Sequence, residues 1–266
     1  MIIGRRFIVE RRRSLLWWTA GVVGLVLFTA AFYPSVKGQA SFEEVYEDLP
    51  ASLRAMFGAT ADLGITSAPG YLQGRLFGSL LPVVLLVLAI GQGVRATAGA
   101  EEDGTLEQLM TLPVRRRDVL LQRAAACGIV VVAITAAALA TTLVVGPAVG
   151  LTDGVSLVHL AAAFANVTAL AVVHGALALC IGAATGRRAL ATGVASAVAA
   201  GGFLLQGLLA ASEPPAWTKW LSPWHWYLGR PALVDGWTWA AIVIPLGLTV
   251  VLVVSATAAF ERRDLR

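Results

Sequence analysis

The stretch Ala100-Glu-Glu-Asp-Gly-Thr-Leu-Glu-Gln-Leu-Met-Thr-Leu-Pro-Val-Arg-Arg-Arg-Asp118 is a charged island between two long apolar runs. Its own chemistry predicts a short helix outside any bilayer. Thr105 and Gln108 have the spacing of a capping box, and the acids Glu101, Glu102 and Asp103 suit the positive start of a helix. Pro113 has no N–H and disfavours helix in the residue before it, so the helix is expected to end near Leu112, after roughly two turns. Leu106, Leu109 and Met110 stand at i, i+3 and i+4 and share one face, with Leu112 and Pro113 flanking it. A helix this short is marginal alone, so something must hold it. It is either a solvated loop with a few leucines or a helix offered to a soluble partner.

Outward from the island, 58% hydrophobic residues and a mean hydropathy of +0.76 are far above the globular norm and predict an integral membrane protein. Six apolar runs, at 15–33, 76–94, 124–145, 157–184, 189–211 and 237–260, are long enough to cross a hydrocarbon core of roughly 20 residues. Residues 1–14 place Ile2, Ile3 and Phe7 on one face and arginines on the other, the pattern of an interfacial helix on an anionic leaflet. The first run exceeds the apolar core of a signal peptide and reads as a retained span, bracketed by Trp17, Trp18 and Tyr33 as interfacial aromatics. Pro82 predicts a kink in the second. In the long segment after the first run, Phe42, Val45, Tyr46, Leu49 and Leu53 recur at helical spacing, consistent with an amphipathic helix or a solvated loop.

Orientation follows from the basic residues. With the N-terminus inside, fifteen Lys and Arg fall on inner segments and five on outer ones, while the acids split eight and eight, as expected when basic residues alone set topology. The fold class is therefore an all-α polytopic membrane domain, 1–266, with six spans and both termini cytoplasmic. The outer segment from Ser212 to Trp237 crowds Trp217, Trp220, Trp224, Trp226 and Tyr227 among Pro214, Pro215, Pro223 and Pro231. Aromatics at this density fit the headgroup level, where ring and polar tip are both accommodated.

Several functions are excluded. The only lysines are Lys37 and Lys219, and neither completes a phosphate-binding P-loop, so the chain is not itself an ATPase. His159, His174 and His225 form no His-Glu-x-x-His zinc motif, and no catalytic or metal site is expected. Glu101-Glu102 is similar to the paired glutamates of a CAAX-type membrane protease, but Leu106 stands where that motif needs Arg. Cys127 and Cys180 lie in apolar runs and read as small hydrophobes. None of the six runs contains Asp, Glu, Lys or Arg, whereas ion-coupled carriers commonly bury such charges. Asn166 and His174, eight apart on the fourth run, are expected to hydrogen-bond between helices, or with Gln206 to line a substrate path. Gly182 and Gly186, or Ala197 and Gly201, offer small faces for close helix packing.

The string Glu102-Asp-Gly-Thr-Leu-Glu-Gln-Leu-Met-Thr-Leu-Pro-Val-Arg-Arg-Arg-Asp-Val-Leu120 resembles the segment between the second and third spans of type 2 ATP-binding cassette (ABC) exporter permeases. Gly70-Tyr71-Leu72, Thr185-Gly-Arg-Arg188, Leu221-Ser-Pro223 with Trp226-Tyr-Leu-Gly229, and Phe260-Glu-Arg-Arg-Asp-Leu265 resemble the same group in the same order. The resemblance implies that this segment is a coupling helix seated in a groove of a partner ATPase, carried here by Glu102, Gly104, Thr105, Leu106, Leu109, Met110, Leu112, Pro113, Arg115 and Arg116. It further implies a plasma-membrane dimer of permeases, identical or related, with two ATPase subunits that hold ATP and Mg, none being bound by this chain. Trp220, Pro223, Trp224, Trp226 and Tyr227 would close the outer end of the pathway, and the substrate would be an amphiphilic drug, antibiotic or lipid. The bilayer is a partner and nucleic acid is not. The alternative functions are a self-contained secondary carrier or a membrane scaffold.

Overall fold

The computed structural model describes residues 2–39, 48, 50, 64–111, 113–211 and 216–263. Among these the chain is helical, and six helices are long and apolar enough to cross a membrane: Arg12–Ser35, Ala68–Ala96, Arg116–Val149, Leu157–Thr185, Arg188–Leu208 and Trp239–Arg262. They are called the first to sixth spans below. The expected helix through Phe42, Val45, Tyr46, Leu49 and Leu53 lies outside the described residues, as do Leu112, Pro214 and Pro215.

The second and fourth spans form the centre. Of their apolar stretches 67% is buried, against 17–33% in the other four, which stand around them. Lipid tails are as apolar as Leu, so burial alone gives no reason for two spans to associate; close approach through small residues does. A Cβ on Gly93 would collide with the carbonyl of Gly175, and one on Gly175 would lie 3.0 Å from the carbonyl of Ala89. Two turns beyond Gly175, Gly182 faces the Thr97 hydroxyl, which bonds the carbonyls of Gly93 at 3.3 Å and Leu179 at 3.4 Å. Of the glycines expected to pack, Gly182 does so; Gly201 has open space beside it, and Gly186 instead ends the fourth span with φ 64.

The second span begins at Ala68, before its apolar run, capped by the Ser67 hydroxyl accepting from the N–H of Gly70 at 3.2 Å. From Leu72 to Leu80, immediately before Pro82, it is wound as a π-helix. In an i to i+5 ladder the Phe77 carbonyl would accept from residue 82, which is proline and has no N–H. That carbonyl is left for another donor.

The third span also begins early, at Arg116, and runs through Pro147 to Gly150 at φ 73, past the end of its apolar run at 145. The early start draws Arg123 into the helix at 8% exposed, a buried charge that the apolar run did not contain. Its Nη1 donates to the Ala96 carbonyl at 2.8 Å, at the C-terminal end of the second span, where orphan carbonyls favour a cation. Tyr33 departs from the interfacial expectation as well: it is 1% exposed, with its ring 5.1 Å from that of Tyr71, whose hydroxyl donates to the Thr29 carbonyl at 3.1 Å.

The N-terminal helix, Ile2–Val9, packs Ile3, Phe7 and Ile8 against the protein. Phe7 is buried, and the N–H groups of Ile3 and Gly4 donate to Gln122 Oε1 on the third span at 3.1 and 3.4 Å.

Candidate functional site

At the end of the bundle that carries the N-terminal helix, the charged island folds into two short helices, Ala98–Glu102 and Thr105–Met110. They are joined at Gly104, whose φ of 69 lies in the left-handed region that glycine enters without a Cβ penalty. The capping box does not form. Gly104 occupies the cap position, and the Thr105 hydroxyl donates back to the Ala100 carbonyl at 3.0 Å, so it ties the second short helix to the first.

Leu106 holds the segment down. It is 1% exposed, in a cluster with Phe7, Ala100, Val119, Leu120, Cys127 and Phe260 from four other parts of the chain. Full burial of one leucine contributes roughly 1.5 to 3 kcal/mol toward holding this helix of six residues in place. Leu109 and Met110 are partly buried against the same cluster. The shared leucine face thus packs inward on the chain's own bundle, and the outward edge is polar: Thr105, Glu107, Gln108 and Thr111, then Pro113, Arg115 and Arg117.

Glu101, Glu102 and Asp103 precede the helix Thr105–Met110 and are clamped to distant arginines, while Glu107 stands in its first turn. Glu101 pairs with Arg263 at the end of the sixth span, the carboxylate nearly buried. Glu102 accepts from the backbone N–H of Arg188 at 2.8 Å, and Arg188 Nη2 meets Asp103 at 3.1 Å. Arg116 donates to the Arg263 carbonyl at 2.6 Å. The segment between the second and third spans is therefore tied to the turn between the fourth and fifth and to the end of the sixth. An open groove of about 740 Å³ lies against this clamp, lined by Glu101, Glu102, Thr185, Arg187, Leu190 and Arg263.

At the opposite end of the bundle, where Lys37 meets Asp153 at 3.0 Å, the aromatic segment forms short helices Ala216–Lys219, Pro223–Leu228 and Ala232–Asp235. It divides into two sets. Trp217, Trp220 and Trp237 are exposed, as a headgroup belt would be. Trp224 and Tyr227 are driven into the bundle, 2% and 6% exposed. Trp224 Nε1 donates to the Ala199 carbonyl at 2.8 Å, and the Ser222 hydroxyl to that of Gly202 at 3.0 Å, both on the fifth span. Tyr227 donates to the Phe77 carbonyl at 2.7 Å, the acceptor that Pro82 left without a partner. Burial pushes the Tyr227 phenol well above its ordinary pKa, so it stays protonated as that donor. Trp226 keeps a local bond to the Trp220 carbonyl at 2.8 Å, and Pro223 opens the helix.

Between the two ends, Asn166 and His174 are each 1% exposed. The expected bonds between helices do not form. His174 Nδ1 pairs with the Leu170 carbonyl of its own helix at 2.8 Å, while His174 Nε2, both side-chain polar atoms of Asn166 and Oε1 of Gln92 meet no partner among the described residues. Gln206 is half-buried on the fifth span, one turn beyond Gly202.

The structure adds residues that the sequence did not single out as a group: Arg188 and Arg263 in the clamp, and Arg123 beneath it. Arg188 and Arg263 stood inside strings quoted for the resemblance without a partner assigned to either, and Arg123 was visible only as a basic residue beside an apolar run. The family described as ABC-2 family transporter protein has a model that matches residues 3–265. None of the curated proteins matches the chain.

Proposed function

The chain belongs to the ABC-2 family of transporter proteins, and from that premise we propose that it is the permease of an ATP-driven exporter powered through the short helix Thr105–Met110. The observation that carries this reading is the mounting of that helix. It is pinned by Leu106 and leaves a polar edge free, and the acids just before it are joined by ion pairs to Arg188 at the start of the fifth span and to Arg263 at the end of the sixth. A push on its outward edge would pass directly to the second and third spans, through Arg188 to the fourth and fifth, and through Arg263 to the sixth.

In this reading two ATPase subunits, holding ATP and Mg, close on ATP binding and press on a pair of permeases, identical or related, in the plasma membrane with termini cytoplasmic. Glu102, Gly104 and Thr105 shape the helix, and Leu106 positions it. Leu109, Met110 and Pro113 form the shoulder beside the partner, Arg115 and Arg116 border it, and Leu112 is kept in the docking segment on the resemblance alone. Buried polar atoms without partners are costly in a bilayer interior, so Asn166 and His174 are read as facing a path for an amphiphilic substrate, with Gln206 further along it. Trp224 and Tyr227, flanked by Trp220, Pro223 and Trp226, would close the outer end.

The test is affinity purification of the gently solubilised chain, with mass spectrometry and an ATP hydrolysis assay on what accompanies it. A P-loop ATPase is expected, and it should be lost from the Glu107→Arg, Gln108→Arg double variant, which touches only exposed side chains. An ATPase retained in full by that variant would refute the docking edge. Absence of any ATPase after crosslinking would refute the coupling role.

A further inference from the structure

A cavity of about 310 Å³ lies between the N-terminal helix, the short helices of the island and the start of the third span. Five charged side chains line it: Arg6, Glu10, Arg11, Asp103 and Arg123. Its acids are already engaged, Glu10 with Arg6 at 2.7 Å and Asp103 with Arg188 at 3.1 Å. Two guanidiniums remain. They stand around a single ring, Arg11 at 4.1 Å and Arg123 at 5.8 Å from the centroid of Phe7. Arg123 is 92% buried by its 8% exposure, and among the described residues its Nε has no hydrogen-bond partner, nor has the buried Nη1 of Arg11. Burial first, and then the like charge of Arg95, push the Arg11 guanidinium below its ordinary pKa.

Unpaired buried guanidinium donors are costly, and a tetrahedral oxyanion is the group that a planar fork bonds best. The cavity also sits where an amphipathic helix meets the ends of the spans, the level of lipid headgroups, and basic pockets between spans at that level suit phosphate-bearing lipids. We propose that this cavity is an anion site that binds a phosphate group between Arg11 and Arg123, carried by an anionic phospholipid headgroup or by free phosphate. It rests on the membrane setting and on these side chains, and it stands or falls separately from the ATPase reading.

The test is native mass spectrometry of the full chain in detergent, titrated with phosphatidylglycerol, with phosphatidylcholine, and with phosphatidylglycerol in the presence of inorganic phosphate. Phosphatidylglycerol should be retained in preference to phosphatidylcholine. Arg11→Gln should weaken its retention about five-fold, the worth of one cationic contact at a membrane surface, and Arg11→Lys should restore part of it. Arg5→Gln, an exposed charge on the same helix and outside the cavity, should leave retention unchanged. Competition by inorganic phosphate that disappears in Arg11→Gln would assign the site to free phosphate as well. Arg123→Gln should weaken binding too, but it also loses the bond to Ala96, so the Arg11 variants decide. Equal losses in Arg5→Gln and Arg11→Gln would mean diffuse surface attraction and overturn the proposal, as would no binding of either phosphate source.

Discussion

The hydroxyl of Tyr227 shows how a single backbone defect organises a distant segment. Pro82 removes one N–H from the second span, and the Phe77 carbonyl it orphans lies in the buried core, where Phe77 itself is 1% exposed and packs edge-on to Phe164 at 5.0 Å. An unsatisfied carbonyl there costs about 1–3 kcal/mol. Tyr227 meets it from 150 residues away and so fastens the aromatic segment to the second span. Tyr227→Phe keeps the ring, its 6.1 Å contact with Trp224 and nearly all the apolar area, and removes only the donor. Thermal unfolding of the detergent-solubilised chain should therefore report a loss of about 1–3 kcal/mol. Trp226→Phe, which gives up a bond to Trp220 in an exposed setting, should cost less. Equal effects would mean that the Phe77 carbonyl has another partner and that the segment is held by packing alone.

At the scale of the element, the junction of the second and fourth spans rests on the absence of side chains. Gly93→Ala places a methyl against the Gly175 backbone, which cannot rotate away, and overpacking of this kind costs about 1–3 kcal/mol. Gly193→Ala on the fifth span meets nothing within 4 Å and should be neutral or slightly favourable, since Ala is the better helix former. Unfolding of the two variants side by side checks this, and an unaffected Gly93→Ala would show that the two spans part more easily than their contact suggests. Such elements were legible in the sequence only as lengths. The six apolar runs announce themselves because about 20 apolar residues have no cheaper place than a bilayer. Their ends do not, because a helix continues into polar sequence wherever tertiary partners receive it: the third apolar run begins at residue 124, while the helix begins at Arg116 and carries Arg123 to the Ala96 carbonyl. The leucine face of the island was legible too, but not its direction. Periodicity says that Leu106, Leu109 and Met110 face one way, and only the cluster with Phe7 and Phe260 says that the way is inward. The clamp was hidden for a similar reason, since Arg188 and Glu102 are 86 residues apart and each alone is an ordinary charge at the end of a span.

For the whole molecule, the contacts collect on two ends. Ile3 and Gly4 reach Gln122, Glu102 and Asp103 reach Arg188, and Glu101 reaches Arg263, so the N-terminal helix, two connecting segments and the end of the sixth span share one end. Lys37 and Asp153 share the other, and His159 ties the start of the fourth span to the Leu233 carbonyl at 3.1 Å. An even number of crossings with these pairings requires each connection to stay on its own side. The excess of arginine at the first end then predicts which side is cytoplasmic. Single cysteines introduced as Glu107→Cys, Thr185→Cys, Asp153→Cys and Trp217→Cys, in a background of Cys127→Ala and Cys180→Ala, convert this into an accessibility experiment. All four positions are exposed, so reactivity depends on the side of the membrane alone. A membrane-impermeant maleimide applied to intact cells should label Asp153→Cys and Trp217→Cys only, and opening the membrane should add Glu107→Cys and Thr185→Cys. Labelling of Glu107→Cys from outside would invert the topology and put the short helix out of reach of any ATP-hydrolysing partner. Labelling of only one member of either pair would break the six-span arrangement itself.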